Sequence, residues 1–173
     1  FYTAKGIEGA SLYSQGLRRR AEAGLALEDE RVGNLMRPRP PVLAPTARFA
    51  DIAKLFLNTR VNNLYVVDDA GKFLGVVSLH DIKPYLGEPE LAAHVLARDI
   101  LHEDFPRVRP AQPLTEALAG FLTVVAERLP VVDDEGMLLG SLAKGDVLLS
   151  LVEKRRRATE AAPPPSAITP AGG

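Results

Sequence analysis

Histidines and paired carboxylates are the residues of this chain whose types could support catalysis or metal binding. The three histidines lack the spacing of a metal site and no cysteine accompanies them, so surface positions are expected for His80, His94 and His102. Two Asp-Asp pairs, at 68–69 and 133–134, lie in predicted turns, where an aspartate side chain bonds the local backbone. No Ser/His/Asp order and no glycine-rich phosphate loop is present. We therefore expect neither a metal site nor an enzyme.

The Asp-Asp pairs belong to a sequence unit that occurs twice. When the chain is aligned with itself so that Val32 falls on Ala97, no gap is needed between 32–82 and 97–147. Thirteen of these 51 positions are identical, and they cluster in the turns and in the apolar runs on both sides of them. A duplicated structural unit is therefore the interpretation.

Both copies contain the same order of predicted elements. Apolar residues with helical spacing come first, at 49, 52, 53, 56 and 57 and again at 114, 117, 118, 121 and 122. Two short apolar runs around the Asp-Asp turn predict a hairpin, and a second helix is predicted to begin near Ser78 or Ala143. With a short strand in front, the unit is β-α-β-β-α. Since neither copy covers its sheet alone, we expect an α+β fold of two pseudo-symmetric repeats packed sheet to sheet.

The composition excludes several classes of function. A net charge of -1 argues against nucleic acid as a partner, because phosphate binding usually leaves a basic excess. The absence of cysteine removes disulfides and thiolate metal sites. Apolar runs fall far short of the roughly 20 residues that span a bilayer. Because the sequence starts at Phe1 rather than Met, we expect it to be part of a longer polypeptide.

The repeat resembles the CBS domain, and two in tandem resemble a CBS pair, or Bateman module. The resemblance covers about residues 32–150. It depends on an apolar start to each copy, the Val-Val-Asp-Asp turn with its glycine, and the ending Gly-x-x-x-x-x-Asp, which reads GVVSLHD and then GSLAKGD. Because the cleft between repeats of this family commonly binds adenosine nucleotides, the resemblance implies ATP, ADP or AMP as a regulatory ligand.

Five positions are candidate nucleotide contacts under this resemblance: Ser78, Asp81, Asp146, Tyr65 and Pro130. The two aspartates would hold ribose hydroxyls, since a carboxylate accepts both hydrogen bonds at once. The serine would contact phosphate, and the tyrosine and proline occupy the adenine-facing entry to the middle strand of their copies.

Alternative roles stay open for these residues. Ser78-x-x-Asp81 is also a helix capping box, and a tyrosine at the start of a strand is often a core residue. Asp146 has Ala143 where the first copy has a hydroxyl, which weakens the second phosphate site. We therefore expect at most one complete nucleotide site.

A segment before the first copy resembles the linker between the membrane part and the C-terminal CBS pair of CLC chloride channels. It contains Ser-Leu-Tyr at 11–13 and Leu-Arg-Arg-Arg at 17–20. This implies a cytoplasmic regulatory domain of a CLC-type chloride channel or chloride/proton antiporter, homodimeric through its CBS repeats. Its partner would be the transport domain of the same polypeptide, on the cytoplasmic side of the cell membrane as part of an integral membrane protein.

Two other functions remain as alternatives to the channel domain. One is a soluble stand-alone CBS-pair protein that senses adenosine nucleotides, and the other is a regulatory segment of an enzyme or of a magnesium transporter. For the channel-domain hypothesis, the predicted divisions are a juxtamembrane linker or helix at 1–31, repeat 1 at 32–95, repeat 2 at 96–157 and a disordered tail at 158–173. The tail is predicted from its Pro- and Gly-rich composition.

Overall fold

The computed structural model describes residues 30–161 as two three-stranded sheets with helices beside them. Predictions for the linker before residue 30 and for the tail after residue 161 lie outside the described residues. In chain order the elements are α1 (Val32–Leu35), β1 (Arg37–Pro38), β2 (Val42–Leu43), α2 (Phe49–Asn58), β3 (Asn63–Val67), β4 (Phe73–Ser78), α3 (Leu79–Ile82), α4 (Pro89–Ala92), α5 (Leu114–Thr123), β5 (Arg128–Val132), β6 (Leu138–Ala143) and α6 (Lys144–Ala161).

The two sheets have matching topology. In the first sheet, β2 lies parallel to β3, which forms an antiparallel hairpin with β4. In the second sheet, β5 and β6 form the corresponding hairpin, and the place of β2 is taken by a single parallel bridge between Val108 and Val131. The predicted α+β fold with two equivalent repeats is confirmed.

The segment that begins each repeat pairs with the sheet of the other repeat. β1 lies antiparallel to β6, with Arg37 opposite Ser141. His102, which aligns with Arg37 in the sequence repeat, forms the equivalent antiparallel bridge to Val76 of β4. The two sheets are therefore linked in both directions by their lead-in segments.

The Asp-Asp turns bond their own backbone as predicted. The Asp68 carboxylate accepts hydrogen bonds from the backbone N–H groups of residues 70 and 72, and Asp133 does the same for residues 135 and 137. Gly71 and Gly136 have φ of 90° and 86°, a conformation that glycine adopts without a Cβ penalty. Carboxylate and glycine together fix the two hairpins.

The second helix of each copy begins where the sequence predicts, but the two helices differ in length. α3 ends at Ile82 and leads into a 3₁₀ turn at Lys83–Tyr85, because the chain meets Pro84 and then Gly87. α6 runs for 18 residues to Ala161, beyond the predicted end of repeat 2 at 157, since no proline or glycine interrupts the sequence between Gly145 and 163.

Each repeat has its own apolar core, and a third cluster joins them. Five residues of the predicted helical stripes are buried: Ile52, Phe56, Leu114, Ala117 and Phe121. The third cluster lies between the sheets and consists of the buried side chains of Tyr65, Phe73, Val76 and Val132. Leu57 and Leu122, which end the two predicted stripes, are instead 87% and 86% exposed.

Candidate functional site

Ser78 and Asp81 lie at the junction where β4 ends and α3 begins. The Ser78 hydroxyl accepts a hydrogen bond from the Asp81 backbone N–H at 3.2 Å. In return, Asp81 Oδ2 accepts from the Ser78 backbone N–H at 2.9 Å and from the Ser78 hydroxyl at 2.6 Å. The capping-box alternative is therefore the arrangement that this structure contains, and it fixes the orientation of the carboxylate.

A third donor reaches the same carboxylate from the other repeat. His102 Nε2 lies 3.0 Å from Asp81 Oδ2. Burial alone would raise the pKa of the Asp81 carboxyl, but the hydrogen bonds from Ser78 and His102 together outweigh burial, and the pKa is lowered. Asp81 is thus ionised at neutral pH.

The other carboxylate oxygen of Asp81 remains open to a ligand. All three hydrogen bonds just described end on Oδ2, and within residues 30–161 none is recorded on Oδ1. The Asp81 side chain is 19% exposed. An ionised, oriented and partly exposed oxygen is suited to accept hydrogen bonds from hydroxyl groups.

Asp146, the equivalent residue of the second repeat, has both carboxylate oxygens engaged. Arg37 Nε donates to Oδ2 and Arg37 Nη2 donates to Oδ1, each at 2.7 Å. This two-bond geometry is the strong form of a guanidinium–carboxylate pair. Ala143 precedes Asp146 without a hydroxyl, as the sequence shows. A ligand at this carboxylate would have to share both oxygens with the Arg37 guanidinium, which already neutralises their charge.

Two adjoining grooves lie at the Ser78–Asp81 junction. One, of about 450 Å³, is lined by Asn62, Asn63, Ser78, Leu79, His80, Lys83 and Val125. The other, of about 350 Å³, is lined by His80, Asp81, Pro84, Tyr85, Asp99, Ile100, Leu101 and His102. His80 lines both grooves, the one that Lys83 lines and the one that Asp81 lines.

The groove beside Asp146 has different chemistry. Its lining includes three carboxylates, from Glu30, Asp146 and Glu153. Lys154 is also in the lining, and it pairs with Glu30 at 2.8 Å. Arg157 lines the groove as well, so its charges are mixed, and Glu30 and Asp146 are both already paired with basic side chains.

Tyr65 and Pro130 lie inside the sheets rather than at the grooves. The Tyr65 side chain packs edge-on against Phe73 with ring centroids 5.9 Å apart, and only 3% of Tyr65 is exposed. Burial raises the pKa of the Tyr65 phenol, whose oxygen has no hydrogen-bond partner in the described part of the chain. Pro130 is buried in β5, opposite Ser141. Tyr65 therefore occupies a core position, the alternative role that the sequence left open for it. Nucleotide contacts by Tyr65 or Pro130 stay predictions.

Sequence reasoning missed the two basic partners of the aspartates. The sequence pattern assigns no role to Arg37 and predicts only a surface position for His102, whose side chain is 60% exposed. The signal that could have found them is the repeat itself, because His102 aligns with Arg37 in the same register that aligns Asp146 with Asp81.

Comparison with known proteins identifies the family of this chain. A family model for the CBS domain matches residues 32–88 and again residues 97–153. The chain belongs to the CBS-domain family. Its two matches make it a CBS pair, a regulatory module.

The relatives include enzymes and CBS-pair proteins. Homoserine O-acetyltransferase of Methanocorpusculum labreanum is 31% identical over 123 residues, or 70% of this chain and 24% of the relative. Inosine-5'-monophosphate dehydrogenase of Nitrosopumilus maritimus is 24% identical over 139 residues, or 80% of this chain and 28% of the relative. The chain thus spans about a quarter of the length of these two enzymes.

A solved relative matches over nearly its whole length. The crystal structure of CBSX2 in complex with AMP is 30% identical, with a TM-score of 0.63, and the match covers 73% of this chain and 98% of that one. The corresponding full protein, the chloroplastic CBSX2 of Arabidopsis thaliana, is 26% identical over 154 residues, or 72% of this chain and 65% of the relative.

The comparisons contradict the predicted location on the cytoplasmic side of the cell membrane within an integral membrane protein. The relatives just described are CBS-pair proteins and enzymes, not chloride channels. The resemblance of residues 11–20 to a channel linker was too short to carry that prediction. Within residues 30–161, none of the helices is both long and apolar enough to cross a bilayer.

Proposed function

We propose that this CBS pair senses adenosine nucleotides through the cleft at Asp81. The observation that carries the proposal is the inequality of the two aspartates: Asp81 keeps one carboxylate oxygen open, whereas Arg37 engages both oxygens of Asp146. The 30% identity to CBSX2, whose structure holds AMP, supports this class of ligand. The comparisons favour the nucleotide-sensing alternative over the channel domain.

The chemistry of the first cleft matches the parts of a nucleotide. In this proposal the nucleotide spans both grooves that His80 lines. The ribose hydroxyls donate to Asp81 Oδ1 in one groove, and the side-chain amide of Asn63 in the other pairs with the adenine edge, which offers one donor and one acceptor. The Ser78 hydroxyl has a single proton, which it already donates to Asp81. It is therefore a weaker phosphate donor than the sequence predicts, and the Lys83 ammonium, which the sequence did not single out, supplies the positive charge.

Calorimetric titration with AMP, ADP and ATP tests the proposed site. Asp81→Asn removes the charge that accepts the ribose hydroxyls, while Asp146→Asn is the matched change in the other repeat. We expect one binding event per chain, weakened at least tenfold by Asp81→Asn and changed less than twofold by Asp146→Asn, since hydrogen bonds to a charged group contribute about 1.5–3 kcal/mol. Equal effects of the two variants, or no heat with any nucleotide at millimolar concentration, would overturn it.

We also propose that the chain forms a homodimer through its repeats, as CBS pairs commonly do. Leu57 and Leu122 occupy equivalent positions on α2 and α5 and are both strongly exposed, which favours a partner surface there. Sedimentation equilibrium of the double variant Leu57→Glu/Leu122→Glu tests this, with Leu91→Glu, an exposed leucine on α4, as the control. We expect the double variant alone to be monomeric; a monomeric wild type would contradict the proposal.

A further inference from the structure

The two aspartates are held by equivalent residues that cross between the repeats. Arg37 comes from the lead-in of the first repeat and pairs with Asp146 of the second, whereas His102 comes from the lead-in of the second and pairs with Asp81 of the first. We call Arg37–Asp146 and His102–Asp81 the crossed pairs. Their basic members align with each other in the sequence repeat, and so do their acidic members.

Two backbone hydrogen bonds fix the position of His102. Its N–H donates to the Val76 carbonyl at 2.9 Å, and its carbonyl accepts from the Val76 N–H at 3.0 Å. Val76 lies in β4, two residues before Ser78, which caps the helix that holds Asp81. Both members of the pair are therefore fixed to the same strand.

The crossed pairs differ in whether a proton controls them. Arginine remains charged throughout the physiological range, so Arg37 holds Asp146 permanently. Imidazole gains and loses its proton near neutral pH. Because a carboxylate only accepts hydrogen bonds, Nε2 of His102 carries a hydrogen in either state, and protonation converts a neutral hydrogen bond into a stronger, charge-assisted one.

Other titratable groups share the groove with His102. These are the side chains of Asp81, Asp99, His80 and Tyr85. Glu103 and Asp104 follow His102 in the chain but do not line the groove. Asp99 accepts a hydrogen bond from the Leu96 backbone N–H at 2.8 Å, and Arg107 donates to the Glu103 carbonyl at 3.1 Å. Asp81 is the carboxylate that His102 contacts directly.

We propose that His102 is a proton-controlled gate on the Asp81 cleft. When protonated, it forms a charged pair with Asp81 through Oδ2, and this pairing withdraws negative charge from Oδ1, the oxygen that accepts the ribose hydroxyls. When neutral, it holds Asp81 more weakly, and the nucleotide binds better. Acidification therefore lowers nucleotide affinity. This gate rests on the proposed nucleotide function.

Calorimetric titration of the full chain with AMP at pH 6 and pH 8 tests the gate. For the wild type we expect affinity to be about two- to fivefold weaker at pH 6, the range that a partly exposed ion pair supports. His102→Gln keeps an N–H donor without a titrating charge and should show only the smaller pH dependence that comes from the ligand. His102→Arg copies Arg37 and should bind weakly at both pH values. Because AMP phosphate also titrates near pH 6, His102→Gln measures the contribution of the ligand itself.

The outcomes separate the gate from the nucleotide function. His80→Gln removes the other imidazole of the groove. In that variant the AMP affinity should still be weaker at pH 6 than at pH 8. If the wild type and His102→Gln bind AMP with the same pH dependence, the gate is overturned and the nucleotide function stands. The gate is also overturned if acid strengthens wild-type binding, since His102 would then contact phosphate. Absence of heat in every variant at both pH values overturns the nucleotide function, and the gate with it.

Discussion

Two aspartates that are identical by sequence pattern have unequal surroundings. Sequence reasoning could select Asp81 and Asp146, because the endings of the two copies align and Ser78 has no counterpart hydroxyl in the second. It could not supply their basic partners, since Arg37 and Asp146 are 109 residues apart and meet only through sheet pairing. Burial of Tyr65 between the sheets likewise depends on packing that a local pattern does not encode.

The lowered pKa of Asp81 predicts a pH-dependent contribution to stability. A carboxyl whose folded pKa lies below its ordinary value of 3.8 stabilises the fold above that value, and the contribution is lost as the pH falls through the folded pKa. We expect Asp81→Asn to cost about 0.5–2 kcal/mol at pH 7, as lost helix caps do, and progressively less as the pH falls below 3.8.

Urea denaturation from pH 7 to pH 2.5 measures this difference in the free energy of unfolding. Asp69→Asn, at an exposed turn position, is the control and should stay within about 0.5 kcal/mol at pH 7. A difference between wild type and Asp81→Asn that is the same at pH 7 and pH 2.5 would show that the Asp81 charge does not stabilise the fold.

At the scale of elements, the local pattern predicted the hairpins and the helix starts but not the crossing of the lead-in segments. The turns follow from Asp-Asp-x-Gly, whose carboxylate and glycine act within one short stretch of chain. The crossing depends instead on backbone approach between distant segments. The sequence feature that accompanies the crossing is a pair of equivalent glycines, Gly75 and Gly140. At each of them the backbone of the other repeat's lead-in segment lies too close for a Cβ atom.

Adding a methyl group at the crossing glycines should destabilise the protein. A Cβ at Gly140 would lie closer than 3.0 Å to the Arg37 carbonyl oxygen, and a Cβ at Gly75 would overlap the His102 carbonyl oxygen in the same way. Because backbone cannot yield as a flexible side chain does, we expect each alanine variant to lose about 1–3 kcal/mol in chemical denaturation.

Gly87→Ala provides the control for these two variants. A Cβ at Gly87 would meet nothing within 4 Å, so its effect should stay within about 0.5 kcal/mol. If the alanine variant at Gly140 were as stable as the one at Gly87, the close crossing of the lead-in segment would be refuted.

For the whole molecule, each repeat depends on a piece of the other. Val32 is fully buried in the core of the second repeat, and Ala97, its equivalent in the second copy, is fully buried in the core of the first. The predicted repeat boundaries at 32–95 and 96–157 follow the sequence duplication, which cannot reveal that the lead-in segments are exchanged. The two repeats should therefore behave as one cooperative unit.

Excised fragments test this exchange. Fragment 39–102 contains the whole first sheet together with the crossing segment that completes its core, whereas fragment 30–95 carries a lead-in that belongs to the other sheet. Since chains of this size are marginally stable, we expect partial folding at best, with more helical circular dichroism and protection from proteolysis for 39–102. A more stable 30–95 would contradict the exchange.

The central claim is that one cleft, at Asp81, binds an adenosine nucleotide and the equivalent cleft at Asp146 does not. Two-dimensional ¹⁵N NMR of the labelled chain, titrated with AMP, locates the ligand directly. The account predicts saturable shifts for the amides of residues 62–63 and 78–83, with the amides of residues 143–147 nearly unchanged. Equal shifts in both segments, shifts confined to residues 143–147, or none at millimolar AMP would contradict it.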